Sequence, residues 1–115
     1  MKTEEQVTAY YSAVVIVASS STAADYKPLY EEVVVLMTAA SEEVAKEKAL
    51  ACGKSLEHSY KNCYDETISI SFKRLVAVKP LLDELKDFDT GVEVYYRYFD
   101  DYTAYEAFEP KRQTL

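Results

Sequence analysis

Tryptophan is absent from this chain, histidine occurs once, and glycine and cysteine occur twice each. Each scarcity removes a class of chemistry. Gly53 and Gly91 stand alone, so the chain cannot build the glycine-rich turn that lets backbone amides approach a nucleotide's phosphates. Two cysteines are too few for a disulfide framework in a chain of 115 residues, which predicts free thiols and a cytoplasmic setting. A zinc site could be drawn from Cys52, His58 and Cys63 with Asp65 or Glu66. The spacing is not that of a zinc knuckle, however, and Cys52 falls on the apolar stripe of an expected helix. A buried structural thiol is the better reading, and no metal is expected. Any catalytic triad or cysteine–histidine pair would have to run through His58. Its plain reading is an imidazole that hydrogen-bonds the carbonyl end of the preceding helix. No complete catalytic set emerges, and no cofactor is expected.

Positive charge is also in deficit, with 13 Lys and Arg against 20 Asp and Glu and a net charge of −7. Nine acids and two bases lie between residues 83 and 109, so that segment alone carries −7 and the rest balances. Such a surface repels nucleic-acid phosphates and anionic membranes, and it suits either plain solvation or a basic partner. Neither nucleic acid nor membrane is an expected partner. The run from Val7 to Ala18 loosely imitates a secretory leader. Glu4 and Glu5 make its start acidic, Tyr10 to Ser12 interrupt it, and its β-branched residues point to a core strand.

What the chain has in excess is tyrosine, eleven residues of it. Tyrosine suits half-buried sheets and interfaces, where the ring packs and the hydroxyl stays wet. The length fits one domain, taken as residues 1–109 with a tail at 110–115. Residues 7–19 and 29–38 read as two strands joined as an antiparallel hairpin, both apolar on each face. Ser41 caps a helix that opens with Glu42 and Glu43 and buries Val44, Ala45, Ala49, Cys52 and Leu56. Gly53 would end or weaken it. After a polar connection at 58–66, residues 67–78 alternate, with Ile68, Ile70, Phe72, Val76 and Val78 inward. Arg74 interrupts that row, as at a bulge or a strand end. A helical turn at 81–86, a last strand at 92–99 and a short helix at 101–108 complete the reading. The expected fold class is α+β: a four-stranded, mainly antiparallel sheet in β-β-α-β-β-α order, with one main helix on a face. The other face needs the C-terminal helix or a second copy of the chain.

Five short stretches recur in a familiar order: Tyr11-Ser12-Ala13, Pro28-Leu29-Tyr30-Glu31-Glu32, Ser41-Glu42-Glu43, His58-Ser59-Tyr60-Lys61-Asn62, and Glu93-Val94-Tyr95 through Arg97 and Phe99. Together, over roughly residues 10 to 99, they resemble a small bacterial family known only as domain of unknown function 4288. This chain differs in its extra N-terminal residues and in the acidic extension after Phe99. The resemblance implies a fold and a bacterial origin. It supplies no activity, cofactor or catalytic residue.

Two candidate sites follow. The first is an interface of Tyr95, Tyr96, Tyr98, Asp100, Asp101, Tyr102 and Tyr105, with aromatic centres inside a charged rim. It predicts a non-enzymatic protein-binding module, of adaptor or inhibitor type, for a basic protein or for a second copy of the chain. The second is a polar patch of Glu31, His58, Tyr60, Lys61, Asn62 and Arg97, which would suit a small enzyme or a small-molecule sensor. Within it, Arg97 either pairs structurally with Glu31 or Glu93 or reads a ligand.

Overall fold

The computed structural model describes residues 9–82 and 89–108. Its elements are β1 (Ala9–Ser21), β2 (Tyr30–Ala39), α1 (Glu42–Ser55), β3 (His58–Lys61), β4 (Thr67–Pro80) and α2 (Tyr102–Phe108). This is the expected α+β class in β-β-α-β-β-α order. The four strands form one antiparallel sheet in the order β2-β1-β4-β3.

β1 is apolar on both faces, and it takes the position where both faces can be covered. It pairs with β2 from Ala9↔Ala39 to Ala18↔Tyr30 and with β4 from Tyr11↔Pro80 to Ser21↔Ile68. Ala13, Val14, Val15 and Val17 are buried; each valine side chain removed from water contributes about 1.5–3 kcal/mol. Tyr11 packs with Ala39 and Ala45, so the face carrying Tyr11, Ala13, Val15 and Val17 is the one beneath α1. β2 is an edge strand. Its odd-numbered residues Val33, Val35 and Met37 are half-buried on the helix side, whereas Val34 and Leu36 on the other face stay 47% and 48% exposed.

Two bulges bracket Arg74, so the broken alternation marks a bulge and not a strand end. The β1 partners jump from Ala77 to Leu75 and from Arg74 to Phe72, leaving Val76 and Lys73 as extra residues. Each extra residue resets the pleat. Leu75 therefore takes the inward place expected for Val76, which is 38% exposed.

The fourth strand is not the one expected. Residues 58–66, read as a connection, contain β3 and a tight turn back into β4, pairing His58↔Ile70 through Lys61↔Thr67. Asn62 builds that turn: its Oδ1 accepts from the backbone N–H groups of Tyr64 and Glu66, and Asp65 adopts φ 61°. Asn and Asp tolerate such turns because their short side chains bond nearby backbone. With the outer edge of β4 already taken, residues 92–99 form no strand. They cross the sheet face opposite α1 instead. Ser12 and its partner Lys79 point to that face, and the Lys79 Nζ donates to the Tyr96 carbonyl at 2.8 Å. It also lies 4.1 and 5.6 Å from the ring centroids of Tyr96 and Tyr95. α2 packs on none of the strands and not on α1, so it does not cover the second face. The expected helical turn at 81–86 falls mostly, and the tail at 110–115 wholly, outside the described residues.

α1 begins as its sequence directs, with the Ser41 hydroxyl accepting from the Val44 N–H at 3.2 Å. Its buried line is Ala45, Ala49 and Gly53, spaced four apart on one face. Gly53 does not end the helix, which closes at Leu56. It lies so close to β4 that a Cβ there would sit 2.5 Å from two ring carbons of Phe72.

Two outcomes follow from this packing. Gly53→Ala should lose about 1–3 kcal/mol by overpacking, not gain the ~1 kcal/mol of helix propensity that the same change brings elsewhere. Urea unfolding measures this, and equal or greater stability would mean that α1 does not approach β4 so closely. Ser41→Ala should cost about 1 kcal/mol through the lost cap, read in the same assay.

Candidate functional site

α1 covers only part of its sheet face, and where it stops a trough opens. Its last turn closes through bonds from Leu56 N to Gly53 O and from Glu57 N to Lys54 O. Beyond Leu56 lie residues of all four strands in register: Glu31 beside Val17, and Ser19 beside Ile70, which in turn faces His58. Two adjoining hollows of about 370 and 300 Å³ share Val17, Glu31, Tyr60 and Ile70. Val33, Leu56 and His58 complete the one nearer the helix, and Ser19, Tyr26, Leu29 and Tyr30 the other. The floor is aliphatic and the walls are aromatic and polar, as in most small-ligand sites.

The polar groups of the trough are fixed by their surroundings. His58 Nδ1 lies 2.8 Å from the Leu56 carbonyl oxygen. A carbonyl can only accept, so Nδ1 carries the proton and the Nε2 of the neutral ring is an acceptor. The bond to the helix's final carbonyl is the one expected of this histidine, although His58 sits on a strand. Its ring stacks on Tyr60 at 6.0 Å between centroids. At the other end, the Ser19 hydroxyl is a hub. It accepts from the Leu29 N–H at 3.1 Å and meets the Tyr26 hydroxyl at 2.6 Å, pinning the β1–β2 connection to the sheet. The Glu31 carboxylate makes no hydrogen bond or ion pair with any described residue.

Of the six residues in the polar patch, the structure unites three: Glu31, His58 and Tyr60. Lys61 ends β3 and Asn62 opens the turn into β4. Lys61 pairs with Asp65 at 3.3 Å across an exposed surface, where such a bridge contributes little. The Asn62 side chain is consumed by Tyr64, Glu66 and the Glu66 carboxylate. Arg97 lines a different hollow of about 320 Å³ with Phe99, Asp100, Asp101, Ala104, Tyr105 and Phe108. The pair between Arg97 and Glu31 is therefore not made. The trough residues that sequence reasoning missed are Ser19, Tyr26 and Leu29. The available signal was a tyrosine one residue removed from Pro28 in a connection otherwise read as plain polar loop.

The tyrosine-rich segment divides in two. Tyr95 and Tyr96 are half-buried about Lys79 and hold the segment to the sheet. Tyr98, Phe99, Tyr102 and Phe108 are 89%, 51%, 65% and 80% exposed, beside exposed Asp100 and Asp101. Asp101 caps α2 through the Ala104 N–H at 3.0 Å, and Tyr105 stacks on Phe99 at 4.6 Å.

Both cysteines are free, Cys52 half-buried on α1 and Cys63 exposed on the turn, and neither lines the trough. Among the described residues, no group of three or more His, Cys, Asp or Glu is placed to hold a metal. No helix among them is long and apolar enough to cross a membrane.

Comparison with curated proteins and with solved structures found no match. A family model does match, over residues 10–96, from the first residues of β1 through the segment that crosses beside Lys79. The chain belongs to the family described as domain of unknown function (DUF4288).

Proposed function

We propose that this protein is a non-enzymatic, cytoplasmic protein-binding module that engages a basic partner through residues 98–108. The supporting observation is the exposed aromatic cluster of Tyr98, Phe99, Tyr102 and Phe108 beside Asp100 and Asp101. Large aromatic side chains contribute most of the binding energy at interfaces, and a contiguous group of them is rarely left in water without a use. The helix that carries two of them is itself short. Seven residues are too few for a stable isolated helix, and among the described residues α2 meets no other helix or strand. It rests on the Asp101 cap and the Phe99–Tyr105 stack, and a partner's surface would supply the rest. Residues 89–108 hold five acids against Arg97 alone, which favours a basic partner and raises its rate of encounter. A joint site for His58 and Arg97 draws no support from the geometry, because the two line separate hollows. Two free thiols fit the cytoplasm.

The test starts from a partner captured from native lysate and then titrated directly as a purified protein. Affinity should fall steeply with added salt. Tyr98→Ala with Tyr102→Ala should weaken binding by roughly 100-fold, since two interface tyrosines at about 1–2 kcal/mol each are lost, while the melting temperature stays unchanged. A chain truncated after Phe99 that binds as well as the full chain would overturn the proposal. So would sedimentation showing a dimer that the double variant dissociates, which would assign the surface to a second copy.

A further inference from the structure

The trough beyond α1 is separate from the proposed partner surface, and its chemistry selects a ligand. We propose that it binds a small organic amine: a protonated nitrogen on an apolar body. Among the described residues that line it, Glu31 carries the one formal charge. That carboxylate has no partner among the described residues. Of the described lysines, Lys61 pairs with Asp65, and Lys73 lies outside the lining with its ammonium 5.8 Å over the Tyr30 ring. An anionic ligand would meet Glu31 with no lysine or arginine in the lining to offset it.

The neutral groups agree with the charge. His58 offers an acceptor at Nε2, because its Nδ1 proton is held by the Leu56 carbonyl. The phenol oxygen of Tyr60 can accept as well, and a tyrosine face attracts a cation within about 6 Å. A group that donates several hydrogen bonds and accepts none suits this set, which describes an ammonium or guanidinium head. Val17, Val33, Leu56, Ile70 and Leu29 then offer aliphatic surface to the remainder. Each hollow, at about 300–370 Å³, falls at the lower end of small-ligand sites and is too small for a folded partner.

The test titrates the full chain with 2-phenylethylamine and, in parallel, with 3-phenylpropionate, which has a similar body and the opposite charge. Binding is followed by calorimetry and by amide chemical shifts. The amine should bind, with shifts centred on Val17, Glu31, His58, Tyr60 and Ile70, and the acid should not. Glu31→Gln should weaken the amine by at least roughly tenfold, the usual loss when a charge-assisted hydrogen bond becomes neutral, with an unchanged melting temperature. Tyr60→Leu should weaken it as well, while Tyr98→Ala with Tyr102→Ala should leave it unaltered, which separates this site from the partner surface. Equal binding of amine and acid, full affinity in Glu31→Gln, or shifts confined to residues 97–108 would each overturn the proposal.

Discussion

Three small residues, Ala45, Ala49 and Gly53, line the face by which α1 lies on the sheet, and the ring of Phe72 fills the space that a larger residue at 53 would need. This close approach sets the positions of everything near it. It fixes the height of the helix over β1 and β4, and so the depth of the core around Tyr11, Ala39 and Ala45. Because the chain closes at Leu56 and returns at once as β3, the final carbonyl of the helix end meets His58, and the uncovered remainder of the face becomes the trough. Helix propensity alone would favour alanine at 53; packing overrides it.

The sheet order has the second consequence. With β1 and β4 in the centre, the edges are β2 and the four-residue β3. The C-terminal segment joins neither edge. It crosses the face away from α1, tied at Lys79, and then leaves the sheet, so that its last aromatics and α2 reach solvent. One face of the molecule thus presents a small cleft with a single carboxylate. A different region presents aromatic rings among acids. The two ligands proposed are both cationic but differ in scale, a small molecule for the first and a protein surface for the second.

Much of this was legible in the residues. β1 announces itself by apolar residues on both faces, the signature of a central strand. Ser41 and Asp101 are capping residues and both cap. Arg74 in an alternating row marks a break, because a charge does not follow the pleat inward, and the pairing shows that the break is a bulge and not a strand end. β3 was hidden because all four of its residues are exposed, so no burial pattern marks it. Residues 92–99 read as a strand from their valines and tyrosines, yet β-propensity reflects a fit to a pleated surface and cannot say whether an edge is free. The candidate patch was half legible for a related reason. Glu31, His58 and Tyr60 sit on strands whose register brings them to one face, whereas Asn62 is spent on its own turn and Arg97 lies past the crossing at Lys79. Register and crossing are long-range facts, which local spacing does not contain.

Native-state hydrogen exchange on the free chain tests the central claim most directly, since it reads tertiary support element by element. The account predicts strong protection of β1 and α1 and near-unprotected exchange across residues 102–108. It also predicts that those same amides become protected when a basic partner is bound. Protection of α2 equal to that of α1 in the free chain would contradict it, because the helix would then already have its partner within the fold.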